Sequence, residues 1–240
     1  MHEIQKKYER EITEIVAACH RLGDLGYVAS AGGNVSYRVE DNLVLLTPTQ
    51  TPKRLMKEEY ICAVDINGNT VFAPDGKRPT GEMPLHTHIM RQRADVKAVI
   101  HAHPPNVTAF AILDSDLLAR PFYPESMTQL GPVRRVPYAE PNSQKLADAF
   151  SNAIKDANGF IMANHGALTC SKSSVFEAME YMQVMEMGAY SVFVASMLGK
   201  PAEITRQDIK DLDKLLVARG EKCPGELGRY QSMLELFPKE

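Results

Sequence analysis

Apolar and polar residues alternate along this chain with two periods, and the period changes at turn residues. Ile4, Tyr8, Ile12, Ile15 and Cys19 recur every three or four positions, which predicts an amphipathic helix over 3–22 ended by Gly23 and Gly26. The period then becomes two. Val35, Tyr37 and Val39 alternate with polar neighbours and predict a strand, Asp41-Asn42 a turn, and Leu43 to Thr47 the return strand. Tyr60 to Ile66 and Thr70 to Ala73 predict a second hairpin around Asn67-Gly68-Asn69. Glu82 to Arg93 reads as a helix that tolerates Pro84 in its first turn. An apolar run, Val96 to Ile100, predicts a strand that closes on His101-Ala102-His103-Pro104-Pro105, and Asn106 to Leu113 reads as a short helix.

Residues 114–142 show neither period; several prolines and Gly131 make them an irregular segment. Irregular stretches of that length in a folded domain tend to be functional. Ser143 to Asp156 reads as a helix capped by Ser143, Gly159 to Ala163 as an apolar strand leading to Asn164-His165-Gly166, and Ala167 to Cys170 as a short strand. The longest helix spans Ser173 to Leu198. Its apolar residues, among them Val175, Phe176, Met179, Met182, Met185, Met187, Val192 and Phe193, lie on almost every side and predict burial on more than one face. Thr205 to Arg219 is the last expected helix, followed by a polar tail. Interleaved strands and helices indicate an α/β fold, and without a repeat or linker the whole chain, 1–240, is expected to be one domain.

Composition narrows the function. A net charge of −3 argues against a nucleic-acid partner. No apolar run approaches the length of a membrane span, and the charged start HEIQKKYEREI lacks a signal-peptide pattern. The four cysteines, Cys19, Cys62, Cys170 and Cys223, are scattered without C-x-x-C spacing, so reduced thiols and a cytoplasmic location are expected.

The candidate chemistry sits at strand ends. Residues two apart on a strand share a face, so His101 and His103 present two imidazoles together. Imidazole is a good ligand for zinc, and a catalytic zinc takes three protein ligands with one position open. His165, at the end of another apolar strand and followed by Gly166, is the third candidate. The competing reading makes all three ordinary strand-end or turn histidines. Glu82 opens a helix, where the N-terminus favours negative charge. It is open to several roles: fourth ligand, general base, both in turn, or a glutamate that only stabilises the first turn. His86 shares its helix face and is expected to orient it, while His88 points elsewhere. Three small-residue loops, Gly32-Gly33-Asn34, Thr47-Pro48-Thr49-Gln50 and Thr80-Gly81, carry hydroxyls, amides and backbone N–H groups that suit an oxyanion such as phosphate, though the same residues populate ordinary turns.

Taken in order, Gly-Gly-Asn-Val-Ser, Pro-Thr-Gly-Glu, His-x-His-Pro-Pro and Asn-His-Gly make the chain similar to the class II aldolase/adducin family from about residue 5 to about residue 220. The resemblance implies a three-layer α/β/α domain with a central, mainly antiparallel sheet. It implies Zn2+, or another divalent ion such as Mn2+ or Co2+, on His101, His103 and His165, with Glu82 as catalytic carboxylate. It places a phosphate site on Gly33, Asn34, Thr49, Gln50, Thr80 and Gly81, and a catalytic phenol on Tyr123. It further implies a homotetramer with interfacial active sites acting on a small phosphorylated sugar.

Within the family, Glu rather than Asp at position 82 resembles the aldolases that cleave L-fuculose 1-phosphate or a related deoxyketose phosphate to dihydroxyacetone phosphate and an aldehyde such as L-lactaldehyde. Open alternatives are a ribulose-5-phosphate 4-epimerase-like epimerase, a sugar-acid phosphate decarboxylase or dehydratase, and a non-catalytic adducin-like assembly module. The chain departs from the fuculose-phosphate pattern at Gln50, where a Gly is usual, and at Gly81, where a Ser is usual. Arg219 replaces a C-terminal tyrosine, and Tyr230 is the tyrosine left in the tail.

Overall fold

The computed structural model describes residues 2–238. In chain order the elements are α1 (Glu3–Lys7), α2 (Glu9–Asp24), β1 (Asn34–Glu40), β2 (Leu43–Leu46), β3 (Cys62–Val64), β4 (Thr70–Phe72), α3 (Met83–Gln92), β5 (Ala98–Ala102) and α4 (Pro105–Ile112). Then follow α5 (Pro124–Gln129), β6 (Arg134–Val136), α6 (Gln144–Ala149), β7 (Gly159–Met162), β8 (Gly166–Ser171), α7 (Val175–Leu198), α8 (Arg206–Arg219) and α9 (Met233–Leu236). The eight strands form one sheet in the order β4-β3-β2-β1-β5-β8-β7-β6. Every pairing is antiparallel except β6 with β7.

Strand parity sorts the side chains into two cores. Ala98, Ile100 and Ala102 of β5 face one layer with Ile12 and Ile15 of α2, Val107 of α4 and Met182 of α7. Val99 faces the other, with Leu85 and Ile89 of α3, Leu146 of α6 and Phe150 directly after it. This is the expected three-layer α/β/α arrangement with a mainly antiparallel sheet. Each fully buried Leu or Ile contributes roughly 1.5–3 kcal/mol over its exposed state. The same parity turns His101, two residues after Val99, toward α3. Among the described residues no helix is long and apolar enough to cross a membrane, and all four cysteines are free.

Several elements differ from the sequence pattern. The helix expected over 3–22 is two helices, because Tyr8 (φ −117°, ψ 35°) steps out of helical geometry between α1 and α2. The helix expected from Ser143 to Asp156 ends at Ala149 and continues as turns. The irregular 114–142 contains α5 and β6. Two of β6's three residues are arginines, so no alternation marks it; parallel pairing with β7 makes it a strand. The polar tail contains α9. On α7, Met179, Met182 and Met185 are buried as expected, but Phe176, Met187 and Phe193 are exposed.

A buried arginine organises the back of the sheet. Arg93 is fully buried, bonds Asp95 (2.7 Å), and donates to the carbonyls of Ala157 (3.0 Å) and Gly225 (2.7 Å) and to Asn158 Oδ1 (3.0 Å). It thereby ties the end of α3 to the segment after α8.

Candidate metal centre

Three chain crossings bring the histidines together. His101 is the fourth residue of β5, and His103 follows the strand, its backbone N–H bonded to the Tyr27 carbonyl (2.8 Å). His165 sits in the turn between β7 and β8, after Asn164, whose φ of 54° lies in the left-handed region. That turn can approach β5 because residue 166 is glycine: a Cβ there would stand 2.7 Å from the Ala102 carbonyl oxygen and 2.6 Å from His103 Cδ2. One ligand atom from each of the three imidazoles lies within 4.8 Å of the others.

Glu82, directly before α3, is buried and aims its carboxylate into this cluster. Oε2 is 3.4 Å from His101 Nε2, and Oε1 is 3.5 Å from His165 Nε2. The donor set fits a cation. His101 Nδ1 is 2.9 Å from the Ala167 carbonyl oxygen, which can only accept, so Nδ1 is the nitrogen that donates there. That leaves Nε2 turned to the Glu82 carboxylate, where an ion placed between them would find a ring nitrogen and a carboxylate oxygen as donors. Burial, reinforced by His101 and His165, pushes His103 down to about 4 against the opposing charge of Glu82. Burial and His101 likewise lower His165. Both are then neutral near pH 7, the form that binds metal. Burial works to raise the Glu82 pKa, but His101, the Asn34 hydrogen bond and His165 outweigh it, and the carboxyl ends below its usual range.

Glu82 is held from behind by a chain of hydrogen bonds. Asn34 Nδ2 donates to Glu82 Oε2 (2.9 Å), so Asn34 Oδ1 accepts from His86 Nε2, and His86 Nδ1 accepts from Ser36 Oγ (2.6 Å). This assigns one tautomer to His86. Asn34 and Ser36 share a face of β1, and Asn34 lies opposite His101 in the β1–β5 register. Ser36 escapes a search for reactive residues; its signal is its position two residues after Asn34. His88 points away, to Ser151 Oγ (2.9 Å).

The three small-residue loops gather beside Glu82. Gly33 has φ 70°, and a Cβ there would stand 2.9 Å from the His101 carbonyl oxygen. The Thr49 N–H donates to the Arg78 carbonyl (2.9 Å) and the Thr80 N–H to the Thr47 carbonyl (3.1 Å), which zips the second loop to the third. The Thr80 hydroxyl accepts from the Glu82 N–H (3.3 Å). Gln50 is exposed and keeps a left-handed backbone (φ 53°) without being glycine. Gly81 lies under the side chain of Asn142, whose Cγ would be 2.7 Å from a Cβ at position 81. Asn142 had no signal in the sequence beyond its place at the end of the irregular segment.

The tyrosines lie elsewhere within the chain. Tyr123 shares a small pocket with Phe122, Met185 and Gly188 that none of the three histidines and no atom of Glu82 lines. Tyr230 donates to Asp156 Oδ1 (2.8 Å), and Arg219 ends α8.

Similarity to known proteins agrees with this arrangement. The family described as "Class II Aldolase and Adducin N-terminal domain" matches residues 13–192. An L-fuculose phosphate aldolase of Methanococcus maripaludis is 35% identical over 176 residues, covering 73% of this chain and 92% of the relative. A 3-oxo-tetronate 4-phosphate decarboxylase of Haemophilus influenzae is 29% identical over 191 residues, covering 78% and 89%. Among solved structures, YgbL of Klebsiella pneumoniae superposes with a TM-score of 0.77 at 27% identity, covering 85% of this chain and 98% of that one. An L-fuculose 1-phosphate aldolase shares the fold with a TM-score of 0.78 at 24% identity, covering 87% and 96%. On sequence and fold together, the chain belongs to the class II aldolase and adducin family.

Proposed function

We propose that this protein is a metal-dependent aldolase that reversibly cleaves a ketose 1-phosphate, L-fuculose 1-phosphate or a related deoxyketose phosphate, to dihydroxyacetone phosphate and an aldehyde. The observation that carries the reading is the buried Glu82 carboxylate, held by Asn34 and facing His101 and His165. His101, His103 and His165 would hold the ion, with zinc as our assignment from the three-imidazole set. A divalent ion there supplies a Lewis acid that polarises the substrate carbonyl oxygen.

The protein's own groups carry the protons. In the condensation direction Glu82 removes the proton from C3 of dihydroxyacetone phosphate. The C3 electron pair attacks the aldehyde carbon and forms the C3–C4 bond, and the carbonyl electron pair moves to the C4 oxygen. A phenol, Tyr123 in our reading, gives that oxygen its proton. Cleavage runs the same steps backward. Thr49, Gln50, Thr80 and Gly81 with Gly33 would seat the phosphate through hydroxyls and backbone N–H groups. Asn34 would touch it only with what its bonds to Glu82 and His86 leave free. Since Tyr123 lies apart from the histidines of its own chain, we assign it to the active site of a neighbouring subunit in a homotetramer of cytoplasmic, single-domain chains. The exposed Phe176, Met187 and Phe193 of α7 suit such an assembly.

A second reading, decarboxylation of a 3-oxo sugar-acid phosphate, uses the same ion and loops. The decarboxylase relative favours it. The deciding experiment is a coupled assay on metal-loaded and chelator-stripped protein. Metal-dependent release of dihydroxyacetone phosphate from L-fuculose 1-phosphate is expected. Carbon dioxide from a 3-oxo-tetronate 4-phosphate, with no release from the ketose phosphate, would replace the aldolase with the decarboxylase. Absence of tightly bound metal would remove both.

A further inference from the structure

A second concave site, lined by none of the histidines, lies beside the outer strand β6. It is a groove of about 790 Å³ between β6, the segment before α5 and the start of α8, and no metal-centre residue lines it. Four guanidinium groups, Arg120, Arg134, Arg135 and Arg206, face it against two carboxylates, Asp116 and Glu203. This positive excess sits on a chain whose overall charge is −3.

The structure engages these arginines only in part. Arg120 pairs with Glu203. Arg135 donates one N–H to the Phe110 carbonyl (3.3 Å), and Arg206 one to the Phe237 carbonyl (3.1 Å). Arg134 Nε is buried with no hydrogen-bond partner among the described residues. A guanidinium offers five donors in a planar fork matched to phosphate or carboxylate oxygens. An unpartnered buried donor costs about 1–3 kcal/mol, which a bound oxyanion would offset. The rest of the lining is largely apolar, with the half-buried Leu117 and Ile204 beside the charged groups.

We infer that this groove is a second anion site that takes a small phosphate monoester, its phosphoryl group on Arg134 and Arg206 and its apolar part against the half-buried Leu117 and Ile204. The groove shares no residue with the metal centre, and of its arginines Arg120 also lines the pocket that holds Tyr123.

Calorimetric titration of the metal-loaded protein with phenyl phosphate and with inorganic phosphate tests it. The expected result is a phenyl phosphate site that weakens at least tenfold in both Arg134→Gln and Arg206→Gln and survives in Thr49→Ala. Thermal melts establish that each variant is folded. Phenyl phosphate should also bind more tightly than inorganic phosphate. A titration unchanged in both arginine variants, or binding that disappears only in Thr49→Ala, overturns the inference. Equal affinity for the two probes overturns its apolar half, and no binding of either probe overturns the whole.

Discussion

Asn34 donates its side-chain amide to Glu82 across 2.9 Å while its carbonyl oxygen is held by His86, so one amide orients the carboxylate that faces the histidines. Asn34→Ala should free Glu82 to rotate without touching a metal ligand. Partners of this kind typically affect activity or metal affinity by 10–100-fold. We expect turnover to fall by roughly that factor with the metal content unchanged, read by the coupled assay and metal analysis. Full turnover in a folded Asn34→Ala protein would show that Glu82 needs no such hold.

Glu82→Gln keeps the shape and hydrogen-bonding reach of the side chain and removes its basicity. General acid–base groups contribute on the order of 10²–10⁴-fold. Turnover should drop by that order while metal stoichiometry and folding persist. Exchange of the C3 proton of dihydroxyacetone phosphate with solvent should vanish with it. Surviving exchange would assign the proton to another group.

His86 makes stability depend on pH. Burial pushes its imidazole down to about 4 from 6.5, with Glu82 opposing and His101 adding. As pH falls, the unfolded chain binds this proton before the folded one does. The contribution is therefore complete above pH 6.5 and is lost between 6.5 and about 4. Its ceiling is roughly 3 kcal/mol. Urea midpoints measured across this window should fall steeply for the wild type and less steeply for His86→Gln. Parallel slopes would place the acid sensitivity in other groups.

Position 81 is a steric relationship with Asn142. Gly81→Ser puts a side chain where the Asn142 carboxamide lies. The single variant should raise KM for the phosphorylated substrate several-fold. The double variant Gly81→Ser/Asn142→Gly should recover most of it, a coupling expected of residues in contact. Additive effects in the cycle would mean that Asn142 moves aside freely.

Arg93→Leu removes the buried cation, leaves the Gly225 carbonyl without its donor, and leaves Asp95 only the Leu227 N–H and Asn158 Oδ1 only the Gly225 N–H of the donors they have now. Breaking a buried ion pair from one side costs about 3–5 kcal/mol. Chemical denaturation should show a loss of that size, and limited proteolysis should open the segment after α8 first. A loss below about 1 kcal/mol, the worth of a surface pair, would show that water replaces the guanidinium.

The order of strands and helices was legible because it rests on local periodicity. The alternation of Val35, Tyr37 and Val39 marks β1, and the helical spacing of Ile12, Ile15 and Cys19 marks α2, whatever the rest of the chain does. His101 and His103 could be paired in advance because strand geometry alone puts them on one face. The split at Tyr8 and the three-residue β6 were not legible. A single off-helix residue leaves the apolar spacing intact, and a strand led by two arginines is defined by its neighbour β7 rather than by its own pattern.

The sequence by itself determined which residue types stand at the strand ends and where small residues let the backbone pass closely. The tertiary structure alone decided what meets what. It brought His165 to β5 over Gly166, joined Ser36, His86 and Asn34 into one line behind Glu82, set Asn142 on Gly81 and left Tyr123 apart. Those contacts join positions dozens of residues apart, and no local period encodes a distance between separate elements. They follow only once sheet order and register fix the strands, because burial and hydrogen-bond satisfaction act on the assembled chain.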